Sequence, residues 1–252
     1  MWLASIERAL RRSTRIIAVS EATRRDLLDL YPVPPDRVAV VPHGVDHDVF
    51  RRSSDEDVLA AKRRLGVEGP YLLYLGGIEP RKNLPGLIEA YARLDSAARP
   101  ALVLAGSGVP WNPEGTDSLN EALERLPSGV RRSIVLTGYI PEKEKVAMLS
   151  GAEALVYPSR YEGFGLPVLE AMACGTPVVT SNRSALPEVA ADAALLVDPD
   201  DPADIADAIE RVLTEDRLRA DLSARGLARA GRFTWEETAR RTAAVLHEAA
   251  GD

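Results

Sequence analysis

Residues 154–181, ALVYPSRYEGFGLPVLEAMACGTPVVTS, constrain the fold more than any other part of this chain. They place a short apolar run, a glycine-rich turn, a helix with its own start and stop signals, and a second apolar run in one segment. Residues 154–158 read as a strand inside a parallel sheet, because apolar side chains fall on both of its faces. Pro167 suits the first turn of a helix, where its missing N–H goes unused. Gly175 and Pro177 stop that helix, and Val178 and Val179 open the next strand. The alternation continues elsewhere: buried strands are expected at 70–75, 101–105, 133–136 and 194–197, with helical segments between them. Such a pattern specifies an α/β fold with a parallel sheet, right-handed crossovers and helices on both faces.

The turn over residues 160–167 carries Gly163 and Gly165, which allow a ligand close to the backbone. The amides of Phe164, Gly165 and Leu166 are expected to collect at the positive end of the helix, a seat for a phosphate. Glu162 in the turn and Glu170 inside the helix frame that seat. Carboxylates facing a phosphate would repel it, so they are read as acceptors for neutral hydroxyls. A ligand with phosphate in the middle and hydroxyl-rich rings at both ends fits the layout, and a nucleotide sugar is such a ligand.

A second strand-to-helix turn has the same character. PYLLYL at 70–75 runs into Gly76 and Gly77, followed by Arg81, Lys82, Asn83 and a helix over 85–93. Glycines at a strand end before a helix make a phosphate-approach loop. GSG at 106–108 lacks the spacing of a dinucleotide fingerprint and reads as a turn. Residues 111–118 read as a polar loop.

The phrase from Glu162 to Glu170, with GFGLP between, resembles the E-x7-E signature of the retaining, GT-B-fold glycosyltransferases of family four. GGIEPRKN at 76–83, SEATRRDL at 20–27 and PHGVD at 42–46 resemble the same family, in family order, over nearly the whole chain. The resemblance implies a Rossmann-like, donor-binding C-terminal domain over 38–252, including a C-terminal crossover helix. Residues 1–37 would be a remnant of the N-terminal acceptor domain. It also implies sugar transfer from a nucleoside diphosphate with retained configuration. Arg81 and Lys82 would sit on the donor diphosphate, Glu162 on sugar hydroxyls and Glu170 on the ribose, with Tyr139 and Ile140 bordering the base. GGIEPRKN is most similar to users of GDP-mannose, with UDP-sugars left open. The acceptor implied is a glycan or a lipid-linked one, and no metal or other cofactor is expected.

The first residues match a late part of that family's sequence, so most of a first Rossmann-like domain is expected to be missing here. Three functions therefore compete: an active transferase, a non-catalytic nucleotide-sugar-binding module needing a partner, and a same-fold enzyme such as a sugar-nucleotide epimerase. The full E-x7-E phrase disfavours the last.

At 252 residues and 27% charged, the composition is that of a globular protein. A net charge of −7 argues against general nucleic-acid binding. A single cysteine, Cys174, excludes an internal disulfide framework. No apolar run reaches the ~20 residues of a membrane helix, and the cytoplasm is the expected location. The first 13 residues read as an amphipathic helix whose Arg8, Arg11 and Arg12, with Arg15, suggest a solvated face or contact with anionic lipid. His43, Asp46, His47 and Asp48 match no metal spacing and read as a linker turn with solvated side chains. Asp198, Asp200 and Asp201 read as a helix cap, with Asp201 as N-cap, rather than a metal cluster. The apolar face of the last helix, from Trp235, is expected to invite self-association or a partner.

Overall fold

The computed structural model describes residues 2–95, 99–108 and 114–251. It opens with α1 (Trp2–Arg12), β1 (Ile16–Ala18), α2 (Glu21–Leu30) and β2 (Val38–Val40). The two strands pair in parallel as a small separate sheet, Ile16 opposite Val38. Their own core holds Ala18, Val33 and Val38, with Leu27, Leu28 and Tyr31 packed against it. The boundary after residue 37 expected from the prolines thus falls inside this unit. Pro34 and Pro35 turn the chain only so that Val38 can return beside β1.

The rest alternates: α3 (Asp55–Leu65), β3 (Tyr71–Leu75), α4 (Leu84–Arg93), β4 (Ala101–Ala105), α5 (Glu114–Glu124) and α6 (Ser128–Arg131), then β5 (Ile134–Gly138), α7 (Glu142–Gly151) and β6 (Ala154–Tyr157). There follow α8 (Leu166–Ala173), β7 (Val178–Ser181), α9 (Leu186–Ala190), β8 (Leu195–Val197), α10 (Pro202–Thr214), α11 (Asp216–Ala230) and α12 (Trp235–Ala250). Six strands form one parallel sheet in the order β5-β4-β3-β6-β7-β8. The strand order reverses between β3 and β6, which creates a crevice at their carboxyl ends.

The inner strands read as unbroken apolar runs because helices cover both faces. Tyr71, Tyr74, Tyr91 and Tyr157 are buried among them, and a hydroxyl there needs a partner. Tyr71 and Tyr91 donate to the carbonyls of Met148 and Pro100, each at 2.7 Å, and Tyr74 to that of Gly77 at 2.9 Å. One expectation fails within 111–118: residues 114–118 are helical, in α5, and 111–113 lie outside the described residues. Leu119 and Leu123, one turn apart and buried, hold that polar helix to the core.

Candidate functional site: the crevice between the third and sixth strands

Loops leaving β3 and β6, neighbours across the reversal, bring Arg81, Lys82 and Glu162 together. After β3 the chain turns through Gly76 at φ +154°. Gly106, after β4, lies so close that a Cβ there would sit 1.7 Å from the Gly76 oxygen, so no other residue fits. A single helical turn, Pro80–Lys82, then presents Arg81 and Lys82. The Arg160 amide donates to the Arg81 carbonyl at 2.8 Å and ties the two loops together.

Glu162 is the hub. Its Oε1 accepts from Lys82 Nζ at 2.6 Å, Ser159 Oγ at 2.7 Å and the Tyr157 hydroxyl at 2.9 Å. Its Oε2 accepts from Arg81 Nη1 at 3.0 Å. Lys82 and Glu162 are both buried, and Lys82 also donates to the Tyr157 hydroxyl. Burial would raise the Glu162 pKa, but the Lys82 charge and the donors around it outweigh that and hold it below its usual value. Burial likewise pulls Lys82 down, against the opposing effect of Glu162. Oε1 thus meets three donors and Oε2 one, so of the carboxylate's about four lone-pair sites those on Oε1 are the crowded ones. Arg81 also grips Glu79 through Nε and Nη2 and the Tyr161 carbonyl through Nη1. Among the described residues this leaves one N–H on Arg81 Nη2 and one on Lys82 Nζ without a partner.

Gly165 opens α8 at φ +112°, and a Cβ there would meet Leu186 Cδ2 at 2.7 Å. Phe164 is buried, its ring edge-on to His43 at 5.2 Å and to Phe233 at 5.9 Å. His43 also lies 5.8 Å from Trp235. The solvated role expected for His43 is therefore corrected: it is half-buried, and burial lowers its pKa. Asp46 does serve its turn, accepting from the amides of Asp48 and Val49. Asp201 caps α10 as expected, accepting from Ala203 N.

One turn inside α8, Glu170 accepts from Lys145 Nζ at 3.1 Å. Burial raises the Glu170 pKa, and Lys145 opposes the rise. Lys145 stands on α7, the helix that Tyr139 and Ile140 lead into, and its ammonium lies 4.4 Å from the Phe50 ring centre. Of that pair Ile140 is buried, while Tyr139 is 80% exposed. Lys145 escaped the sequence reading, and His43 was read there only as a solvated turn residue. The PHG phrase was a signal for His43; a lysine on a polar helix offers none. A cavity of about 670 Å³ between Pro70, Pro100, Glu153 and Arg219 lies at the opposite, amino end of the strands. Ligands of open parallel sheets bind at the carboxyl ends, which makes the crevice the candidate site.

Fold and site together define a GT-B-type glycosyltransferase domain. The profile described as "Glycosyl transferases group 1" matches residues 55–229, and "Glycosyltransferase Family 4" matches residues 1–49. The chain belongs to the group 1 family of glycosyl transferases. It is 39% identical over 241 residues to O-antigen chain mannosyltransferase B of Escherichia coli, an alignment covering 94% of this chain and 61% of the relative. It is 38% identical over 237 residues to a D-inositol 3-phosphate glycosyltransferase of Frankia alni, covering 90% and 57%. The chain thus spans less than two thirds of the length of these relatives. Anabaena HepE, solved in complex with UDP-glucose, superposes with a TM-score of 0.88 over 98% of this chain and 67% of its own. At 20% identity that likeness speaks for the fold. Among the described residues no helix is long and apolar enough to cross a membrane.

Proposed function

We propose that this chain is the donor-binding part of a retaining glycosyltransferase. It would move a hexosyl group, mannose from GDP-mannose in the first instance, to a glycan or lipid-linked acceptor. The observation that carries this reading is the meeting of Arg81, Lys82 and the α8 N-terminus at the strand-order reversal. Each cation keeps one N–H for a diphosphate oxygen, and the first amides of α8 have no partner inside the helix. A departing diphosphate gathers negative charge as the glycosidic bond breaks. Fixed donors aimed at it lower that barrier without a protein nucleophile.

Glu162 holds both cations in place and meets sugar hydroxyls when the donor displaces one of its present partners. Glu170 accepts from the ribose, and Gly76, Gly77, Tyr139 and Ile140 border the nucleotide. The mannosyltransferase relative favours mannose, and the GGIEPRKN phrase favours GDP. The exposed Arg8 and Arg12 on α1 would meet anionic lipid, and Trp235 and Leu246 on α12 would serve self-association or a partner.

Calorimetric titration with GDP, UDP, GDP-mannose and UDP-glucose tests the reading. Saturable binding of one series, weakened at least about tenfold by Arg81→Ala, is the expected result. No binding by any of the ligands overturns it.

A further inference from the structure

Helix α2 belongs to the small first sheet, yet its opening turns grip the turn that starts α8. Ser20 Oγ and Thr23 Oγ1 both donate to the Gly163 carbonyl, at 2.7 and 3.0 Å. One turn further along, Asp26 accepts from the Tyr161 hydroxyl at 2.7 Å. Positions 20, 23 and 26 share one helix face, and that face meets residues 161–163.

The grip is reciprocal. Glu188 on α9 accepts from the amides of Glu21 and Ala22 at 2.8 and 2.7 Å, and Arg25 lies 3.5 Å from the same carboxylate. Ser20 Oγ takes the next amide, that of Thr23, at 3.0 Å. Three of the orphan donors of α2 are thus satisfied, two of them by a carboxylate more than 160 residues away in sequence.

The Gly163–Phe164 peptide is held from both ends. Its carbonyl rests on two hydroxyls of α2, and the Phe164 ring is wedged against His43 and Phe233. The bond is trans, so the Phe164 N–H points opposite to the Gly163 carbonyl, away from Ser20 and Thr23. Anchoring the oxygen therefore aims the hydrogen.

We propose that Ser20 and Thr23, backed by Glu188, are positioning residues that fix the direction of the Phe164 N–H and thereby set the affinity of the turn for a nucleoside diphosphate. The proposal rests on the donor-site reading above. Residues 1–49 would thus shape the donor site without touching the donor.

The test compares the unaltered chain with Ser20→Gly/Thr23→Val, which removes both hydroxyls, and with Thr23→Ser, which keeps them. Glycine at an N-cap is nearly as good as serine, so the double variant should fold. Titration with GDP and UDP is paired with hydrogen exchange at the Phe164 amide in the free protein. The expected result is binding about tenfold weaker in the double variant and near normal in Thr23→Ser, with faster Phe164 exchange in the double variant alone. A double variant that binds as tightly as the unaltered chain overturns the proposal and leaves the donor site standing. If the unaltered chain binds neither nucleotide, the donor-site reading fails and the affinity part of the proposal falls with it. Exchange then decides the rest: an unchanged Phe164 rate overturns the anchoring, and a faster one in the double variant upholds it.

Discussion

Lys82 Nζ and Glu162 Oε1 stand 2.6 Å apart, with only 7% and 8% of the two residues exposed, beneath the crevice where the strand order reverses. Removing Lys82 leaves the buried Glu162 carboxylate with Arg81 alone as its cation. Lys82→Met should therefore destabilise the fold by about 3–5 kcal/mol. Lys82→Met combined with Glu162→Gln should recover much of that loss, since neither charge then remains. Urea unfolding of the single and double variants reads both values. A single variant as stable as the parent would show that the pair carries no such penalty.

Gly165 cannot become alanine without strain. Its φ of +112° and the approach of Leu186 both exclude a Cβ. Gly165→Ala should lose about 1–3 kcal/mol and displace the start of α8, weakening nucleotide binding as well. Thermal unfolding and titration of the same variant check both parts.

Glu170→Ala should weaken donor binding about tenfold to a hundredfold, the worth of one hydrogen bond to a charged group. An unchanged affinity would remove Glu170 from the site.

Burial raises the Glu170 pKa above its usual value and Lys145 restrains the rise. The charged acceptor, and with it donor affinity, is present above that raised pKa and is lost as pH falls through it. Lys145→Met removes the restraint and should shift this loss to higher pH. Titrations across the acid range, with and without the variant, would show the displacement.

His43 titrates in the opposite sense to a histidine that gains a partner. Burial lowers its pKa, so the unfolded chain binds the proton first. Its contribution to stability is complete above about 6.5 and falls as pH drops from there toward the lowered value. His43→Phe should flatten that part of the stability–pH curve. An identical slope in the variant would place the titration elsewhere.

Much of the frame was legible because it is local. Apolar runs marked β3, β4, β6 and β7, and Pro167, Gly175 and Asp201 marked helix ends through backbone preferences that act within a few residues. Arg81, Lys82 and Glu162 were legible as a set only through the family resemblance, with the glycines at each strand end as the local sign of a turn. What escaped depends on distance in sequence. Nothing near Ser20 or Thr23 announces a carbonyl about 140 residues away. Nothing near Glu170 announces Lys145. The α5 segment was misjudged because EGTDSLNEALE has two apolar anchors amid polar residues. The place of β2 was misjudged because a run of prolines looks like a border even where it only reverses the chain.

The separate small core has a kinetic consequence. Among the described residues Ala18, Val33 and Val38 form the buried cluster of the first sheet, against a main core that spans the whole six-stranded layer. A small buried cluster opens at a lower free energy than a large one. Because α2 belongs to the small unit, each sub-global opening of residues 16–40 also lets go of the Gly163 carbonyl. The lifetime of an organised crevice is then the closed lifetime of the weaker unit, however durable the larger one may be.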